Sequence, residues 1–305
     1  MNAPNIYLPN LKDGSIKERF LKLIHAGHHF AIFGNKNIEF YGSYAEYLGT
    51  QPLEGVRWNK DLSEKDFKTI PDVFSCTLPV ELDNVYPSII NKHVMKRCMQ
   101  SPDLMAKLSV QLIEDMNTQS ARDIKKKMLE IITTKDNYKD TAWVERDADE
   151  LKIDSLDKAV AVIDWIYTTS GEMLEESNQF NKGYQKPGSN TWNEVITNSE
   201  SRKNLVIFID PSLYNPLRIR FLSALPEGNN WVNLKEDFAD VKEMKLANNA
   251  KIVIRDINSL AYTVIDERGI EEEYIKASGS TKLYLHPTTI CGNIPFANAC
   301  ALVSK

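Results

Sequence analysis

The segment Ser101–Thr134, SPDLMAKLSVQLIEDMNTQSARDIKKKMLEIITT, has the pattern of one unusually long helix. Its apolar residues recur in steps of three and four, the spacing of one helix face. They are Leu104, Met105, Leu108, Leu112, Ile113, Met116, Ala121, Ile124, Met128, Ile131 and Ile132. Such a helix is about 50 Å long at ~1.5 Å per residue, whereas a compact domain of this chain length has a radius of gyration of about 19 Å. We therefore expect a flat or elongated subunit.

The same stretch indicates where the helix begins and where it is weakest. Ser101-Pro102-Asp103 supplies a capping hydroxyl, a proline at the first helical position and a carboxylate near the positive end of the helix dipole. Asn117–Ser120 is the segment with the weakest helical preference, so a bend or break there is possible. Two consecutive helices in a globular core are the alternative interpretation.

Composition limits the possible classes of function. The chain has 305 residues, of which 42% are hydrophobic and 26% charged, enough for a packed core in one large domain or two ordinary ones. A net charge of -5 argues against a protein that grips nucleic acid through its phosphates. There is no apolar run of membrane-spanning length and no signal-peptide pattern, so we expect no membrane partner.

The cysteines indicate a reducing compartment. Cys76, Cys98, Cys291 and Cys300 are too few for a disulfide scaffold, and none has the spacing of a zinc knuckle. Cys291 and Cys300 have two interpretations, a bond across strands or a pair of buried thiols.

The remaining pattern predicts an α+β fold. Asn204–Asp210 contains five successive apolar residues, which indicates a central strand covered on both faces. Further strands are predicted at Asp72–Leu82, Ile252–Ile254, Ala261–Ile265, Leu283–Leu285 and Ala299–Val303. Helices are predicted at Leu156–Leu174 and Pro216–Leu225, whereas Lys135–Leu151 and Glu271–Glu273 are predicted to be a loop and a solvated turn edge.

One segment has little core of its own. Between Ala31 and Pro71, glycines and aromatic residues alternate with many charges, and forty such residues would be unusual inside a compact domain. We expect a long hairpin that packs on something else, such as a neighbouring subunit. Its candidate contact residues are Tyr44, Tyr47, Arg57, Trp58 and Lys60.

The strongest candidate for a metal site is His25, His28 and His29. On a helix, these three imidazoles would share one face, as zinc ligands can. However, Gly27 interrupts them and no glutamate stands between paired histidines. We therefore expect a solvated helix end and no metal.

No set of residues has the pattern of an enzyme. Asp210-Pro211-Ser212 follows the predicted central strand, but it lacks a nucleophile elbow, and aspartate before proline is a common strand end. Glycine-rich phosphate loops are absent from the sequence, and no motif combines a nucleophile, a base and oxyanion donors. The residues therefore favour a structural protein without cofactors, whose extended segments are covered by partners.

The order of these elements resembles the major capsid protein of tailed double-stranded DNA phages, which has the Hong Kong 97-type fold. Val85–Ile90 followed by Met99–Leu104 resembles the approach to the long spine helix in capsid proteins of phages that infect low-GC Gram-positive hosts. Asn204–Pro211 resembles the family's apolar strand ending in aspartate and proline, and Ile252–Ile265 its strand pair. Asn293–Ala299 resembles the closing segment of the family.

The resemblance implies a division of the chain. It gives an N-terminal arm at 1–37, an extended loop at 38–72, a peripheral domain with the spine helix at 73–140, an axial domain at 141–275 and return strands at 276–305. It implies pentamers and hexamers that form an icosahedral shell around phage DNA, without sequence-specific contact. It also implies assembly in the host cytoplasm, with a portal and, where needed, a separate scaffolding protein.

Two alternatives to a phage capsid remain. An encapsulin-type compartment shares the fold and encloses a cargo enzyme. A soluble metal-dependent enzyme that uses the histidines is the other.

Overall fold

The computed structural model of this chain describes residues 39–40, 44–50, 73–90, 93–94, 96, 102–186, 189–224, 234–265, 270–275 and 280–305. These residues belong to two compact units. The first contains Pro79–Met128 and Tyr262–Cys291, and the second contains Leu129–Ala261 and Gly292–Lys305. Each unit is therefore assembled from segments that lie far apart in the sequence.

Helices and strands are mixed along the described chain. The helices are α1 (Pro102–Thr133), α2 (Leu156–Glu172), α3 (Pro211–Ala224) and α4 (Leu234–Asp237). The strands are β1 (Glu39–Phe40), β2 (Tyr44–Thr50), β3 (Val73–Asp83), β4 (Tyr86–Ile90), β5 (Trp143–Arg146), β6 (Tyr184–Gln185), β7 (Trp192–Asn193), β8 (Leu205–Ile209), β9 (Asp240–Glu243), β10 (Ala250–Asp256), β11 (Leu260–Ile265), β12 (Ile270–Ile275), β13 (Ser280–Leu285), β14 (Thr288–Asn293) and β15 (Ala299–Ser304). Their sheets have the orders β1-β2-β3-β14-β11, β5-β15-β10-β8-β9, β12-β13-β4 and β6-β7. The α+β class is thus confirmed.

The long helix is confirmed as one element. Helix α1 continues without a break through Asn117–Ser120. Its buried positions recur in steps of three and four, at Ile113, Met116, Ser120, Ile124 and Met128. Burial of this face outweighs the weak helical preference of the middle segment, since tertiary packing supplies most of the stability of a helix in a protein.

In the first unit, an antiparallel sheet is tied to α1. Ile90, Thr281, Leu283 and Leu285 are buried on one face of the β12-β13-β4 sheet. Side chains on β3 and β4 bond to α1: the Tyr86 hydroxyl donates to Asp123 Oδ2 at 2.8 Å, and Lys127 Nζ lies 2.9 Å from Glu81 Oε2. These contacts fix the strands against the helix face.

In the second unit, a mixed five-stranded sheet forms the centre of the hydrophobic core. Strand β8 lies between β10 and β9, antiparallel to the first and parallel to the second, and all five of its residues are buried. Burial along the whole strand confirms an interior strand covered on both faces. Helices α2 and α3 contribute to the same core, and α2 supplies Ala159, Val162, Ile163 and Ile166.

Helix α2 begins with a capping serine. The Ser155 side chain accepts a hydrogen bond from the Lys158 amide and caps the first turn. Tyr167, at the margin of the buried face of α2, is partly exposed.

The structure corrects three predictions of local structure. Helix α3 begins at Pro211 rather than Pro216, which lies inside it. The predicted loop Lys135–Leu151 contains β5, which pairs in parallel with β15. Glu271–Glu273 lies within strand β12, which pairs with β13, and is not a turn edge. The partner of β5 is distant in sequence, so no local pattern reveals that strand. Strand β12 pairs with the next strand along the chain, but its run of glutamates does not have the pattern of a strand.

Cys291 and Cys300 are both buried, and neither forms a disulfide bond. This confirms the interpretation as buried thiols and excludes a bond between them.

Candidate functional site

The predicted histidine set lies outside the described residues. The prediction that His25, His28 and His29 bind no metal therefore stays untested. Among the residues that the structure does describe, no group of three His, Cys, Asp or Glu side chains could hold a metal ion. In the same ranges, no helix is long and apolar enough to cross a membrane.

The predicted contact segment is described only in part. Tyr44 and Tyr47 lie in β2, which pairs antiparallel with β1 through Phe40 opposite Ala45. Arg57, Trp58 and Lys60 lie outside the described residues. Their role as inter-subunit contacts remains a prediction.

The Asp210-Pro211-Ser212 motif forms a helix cap. Asp210 Oδ1 accepts from the Ser212 amide at 2.9 Å, and Oδ2 accepts from the Leu246 amide at 3.0 Å. Burial by itself raises the pKa of Asp210, but these hydrogen bonds and nearby Lys251 outweigh it and hold the pKa below the usual value. Both carboxylate oxygens thus bond to backbone amides, and the motif ends β8 and begins α3.

A buried arginine, which the sequence did not reveal, organises one end of the second unit. Arg255 is fully buried; its Nε donates to Ser259 Oγ at 3.1 Å, and Nη2 donates to the side-chain oxygen of Asn293. Its guanidinium lies 5.2 Å from the centroid of the Tyr138 ring. In the described part of the chain, Arg255 has no carboxylate partner and its Nη1 has no hydrogen-bond partner.

This arrangement joins elements rather than forming a reaction centre. Asn293 also donates to the Asn137 carbonyl at 3.3 Å, so the cluster connects the ends of β10 and β14 with the turn after α1. Burial lowers the pKa of Arg255. The unusual feature is a charge held by neutral partners, which makes the cluster sensitive to substitution.

The closing segment is held by a second polar cluster. Asn298 is buried; its Nδ2 donates to the Met173 carbonyl at 3.3 Å, and its Oδ1 accepts from Thr197 Oγ1 at 3.0 Å. Nearby, Ser199 Oγ donates to Asp256 Oδ2 at 2.7 Å, and burial raises the pKa of Asp256. Asn293–Ala299, which resembles the closing segment of the family, therefore holds the long connection after α2 in place.

Exposed apolar side chains identify surfaces that could take part in association. In the first unit, the register places Pro87, Ile89, Lys282, Tyr284 and Glu273 on the same face of the β12-β13-β4 sheet. Ile89 is 60% exposed, and it lies on β4, an edge strand of that sheet. An exposed edge beside an apolar side chain is a ready template for contact with another chain.

In the second unit, exposed apolar residues lie on both helices that cover the sheet. Leu156 and Val160 lie on α2 and Ile219 lies on α3, and each is exposed. Trp192 and Ile196 are also exposed, and Lys182 Nζ lies 4.6 Å from the centroid of the Trp192 ring. Periodicity predicted which residues are buried, but it did not single out these surface residues.

Both the sequence and the fold of this chain are similar to those of known proteins. The sequence model of the Phi29-like phage major capsid protein family matches residues 3–303. The structure resembles a chain in the capsid of Staphylococcus phage Andhra, with TM-score 0.61, 14% sequence identity, and coverage of 92% of this chain and 84% of that chain. No curated protein matches this sequence.

Two further solved structures share the fold. One is a chain in the structure of the head fiber and inner core protein gp22 of native bacteriophage P68, with TM-score 0.62, 12% identity, and coverage of 92% and 85%. The other is the capsid of cyanophage P-SCSP1u, with TM-score 0.57, 10% identity, and coverage of 91% and 88%. At these identities, the likeness concerns the fold alone.

Proposed function

This chain belongs to the Phi29-like phage major capsid protein family, and from that premise we propose that its copies form pentamers and hexamers that close an icosahedral shell around double-stranded DNA. The protein is a structural component of the phage head and belongs to the virion. The observation that carries the proposal is the family match over residues 3–303, which spans nearly the whole sequence.

The described geometry supports a stiff building block. Helix α1 is continuous over 32 residues. Each unit combines segments from distant parts of the chain, so neither is a simple local hairpin. Rigid units that expose apolar side chains are suited to repeated association, since little conformational order has to be created on binding.

We assign the parts of the chain according to the family resemblance. The arm at 1–37 and the extended loop at 38–72 reach adjacent subunits; 73–140 forms the peripheral domain, 141–275 the axial domain and 276–305 the return strands. Tyr44, Tyr47, Arg57, Trp58 and Lys60 form part of the loop contact. The proposed partners are other copies, a portal and, where needed, a separate scaffolding protein, with assembly in the host cytoplasm.

The charge balance supports a container that holds DNA without reading its sequence. The chain carries a net charge of -5, and binding through phosphates normally requires a basic surface. A strongly basic lining would retain the genome too tightly for release. The shell is therefore proposed to confine DNA by closure, and to carry out no enzymatic reaction.

Electron microscopy of the expressed protein tests this proposal. The protein is expressed alone and together with the scaffolding and portal proteins of the same phage. We expect rings of five and six subunits or closed shells. A stable monomer at high concentration in both conditions would overturn the proposal, and shells that enclose an enzyme cargo instead of DNA would favour the encapsulin-type alternative.

A further inference from the structure

Helix α2 presents an exposed face that is both apolar and acidic. Leu156 and Val160 are 42% and 49% exposed although they are large apolar residues. Asp157 and Asp164 are exposed on the same helix, seven residues apart, which places them two turns apart on one side. The buried residues of α2 face the sheet, so this side faces away from the core of the unit.

Helix α3 presents an exposed face of the opposite charge. Ile219 is 64% exposed, the largest exposure among the large hydrophobic residues of the described chain. Arg218, its neighbour, is also exposed, whereas Leu213 and Leu217 point into the core. An apolar residue beside a cation therefore lies on the outer side of α3.

The charges on these two faces have no partners within the described chain. Asp157, Asp164 and Arg218 take part in none of the ion pairs or side-chain hydrogen bonds among the described residues. By contrast, neighbouring Lys158 pairs with Asp154 at 3.1 Å. The two faces thus combine exposed apolar area with unpaired charges of opposite sign.

We propose that the α2 face (Leu156, Asp157, Val160 and Asp164) binds the α3 face (Arg218 and Ile219) of a second copy of this chain. The charges are complementary between the two faces and repulsive between two copies of the same face. Contact is therefore favoured between different surfaces, which is the arrangement that closes a ring of identical subunits. The inference rests on the proposed function, since it names a contact within the shell.

Charge reversal tests this contact. Asp157→Arg with Asp164→Arg places like charges opposite Arg218, and we expect the yield of assembled particles to fall by about tenfold or more. Arg218→Asp alone should give a similar loss. The combination of all three substitutions restores opposite charges and should recover assembly toward the wild-type level. The readout is the assembled fraction in sedimentation, with particle images from electron microscopy.

Matched control variants make the same kinds of substitution outside the two proposed faces. Glu175→Arg with Glu176→Arg reverses two exposed carboxylates just beyond α2 and should leave assembly unchanged. Ile219→Ser should lower the assembled fraction, whereas Ile196→Ser, which changes a similarly exposed residue of the same unit, should not. Circular dichroism and thermal melting confirm that each variant is folded before its assembly is compared.

The outcomes distinguish the inference from the proposed function. If wild-type protein does not assemble with its head proteins, the proposed function fails. If wild-type protein assembles and the acidic-face variant assembles equally well, the α2–α3 contact is wrong. The contact is also wrong if the assembled fraction of the triple variant is no higher than that of the more impaired of the two variants that it combines. Recovery of assembly on combining the substitutions is the specific signature of a direct pair.

Discussion

The Tyr86 hydroxyl donates a 2.8 Å hydrogen bond to Oδ2 of Asp123, which joins an edge strand of the first unit to its long helix. Asn84 Nδ2 also lies 3.4 Å from the same carboxylate oxygen. Burial, together with the hydrogen bond and charge of Asp123, raises the pKa of Tyr86 to about 12, although Asn84 acts in the opposite direction. Strand β4 therefore depends on a polar contact as well as on its buried Ile90.

Removal of that hydroxyl should weaken the first unit. We expect Tyr86→Phe to lower the free energy of unfolding by about 1–2 kcal/mol, since a hydrogen bond to a carboxylate is lost while the ring remains. Chemical denaturation of the subunit measures the effect. Tyr274→Phe is the control: its side chain is 50% exposed, so the change should stay within about 0.5 kcal/mol. Equal losses in the two variants would contradict the importance of the Tyr86 contact.

Tyr138 should make stability fall at alkaline pH. Burial raises its pKa from the ordinary value of 10.0 to about 12, so the folded state keeps the proton after the unfolded state has released it. The stabilisation is complete below pH 10 and is lost as pH rises from 10 to 12. Urea unfolding across this range should show a shallower decline for Tyr138→Phe than for wild type. Parallel declines would show that another group controls alkaline unfolding.

At position 255, an uncharged methionine should destabilise the fold less than a lysine. In Arg255→Lys, the buried charge remains but the fork that reaches both Ser259 and Asn293 is lost. Arg255→Met keeps much of the volume and removes the charge. We expect the lysine variant to lose about 3–5 kcal/mol and the methionine variant less, as measured by denaturant unfolding at neutral pH. The reverse order would mean that the charge itself stabilises the cluster.

Asn298 should be critical for the closing segment. Asn298→Ala removes one hydrogen bond from the Met173 carbonyl, which keeps the Ser199 amide, and one from the Thr197 hydroxyl, which keeps Asn181 Nδ2. Because two buried hydrogen bonds are lost, we expect a loss of about 1–3 kcal/mol in the free energy of unfolding. Asn190→Ala is a matched control because Asn190 is exposed. Thermal melting compares the two variants, and an undisturbed melting temperature for Asn298→Ala would show that water replaces the amide.

Trp58 should act in assembly rather than in folding. An aromatic anchor at an interface typically contributes about 1–3 kcal/mol, so Trp58→Ala should fold as a subunit but give few shells. Circular dichroism follows folding, and sedimentation follows assembly. If the isolated Trp58→Ala subunit unfolds, the segment belongs to the core and the proposed division of the chain is wrong.

Elements with local signals could be predicted from the amino-acid sequence alone. The steps of three and four in α1 gave its length, because one helix face repeats at that spacing. Five apolar residues in β8 gave an interior strand, because both of its faces must be buried. The interpretation of Cys291 and Cys300 as buried thiols was also correct.

Other elements depend on contacts that form only when the chain folds. Strand β5 forms because it pairs with β15, which is far away in the sequence. Strand β12 forms a hairpin with the neighbouring strand β13, although its glutamates gave no strand pattern. Likewise, a guanidinium at Arg255 is buried only because Ser259, Asn293 and Tyr138 converge on it after folding. The pairing of β5 with β15 and the contacts of Arg255 with Asn293 and Tyr138 join residues far apart in the chain, so their energies leave no periodic trace in the sequence.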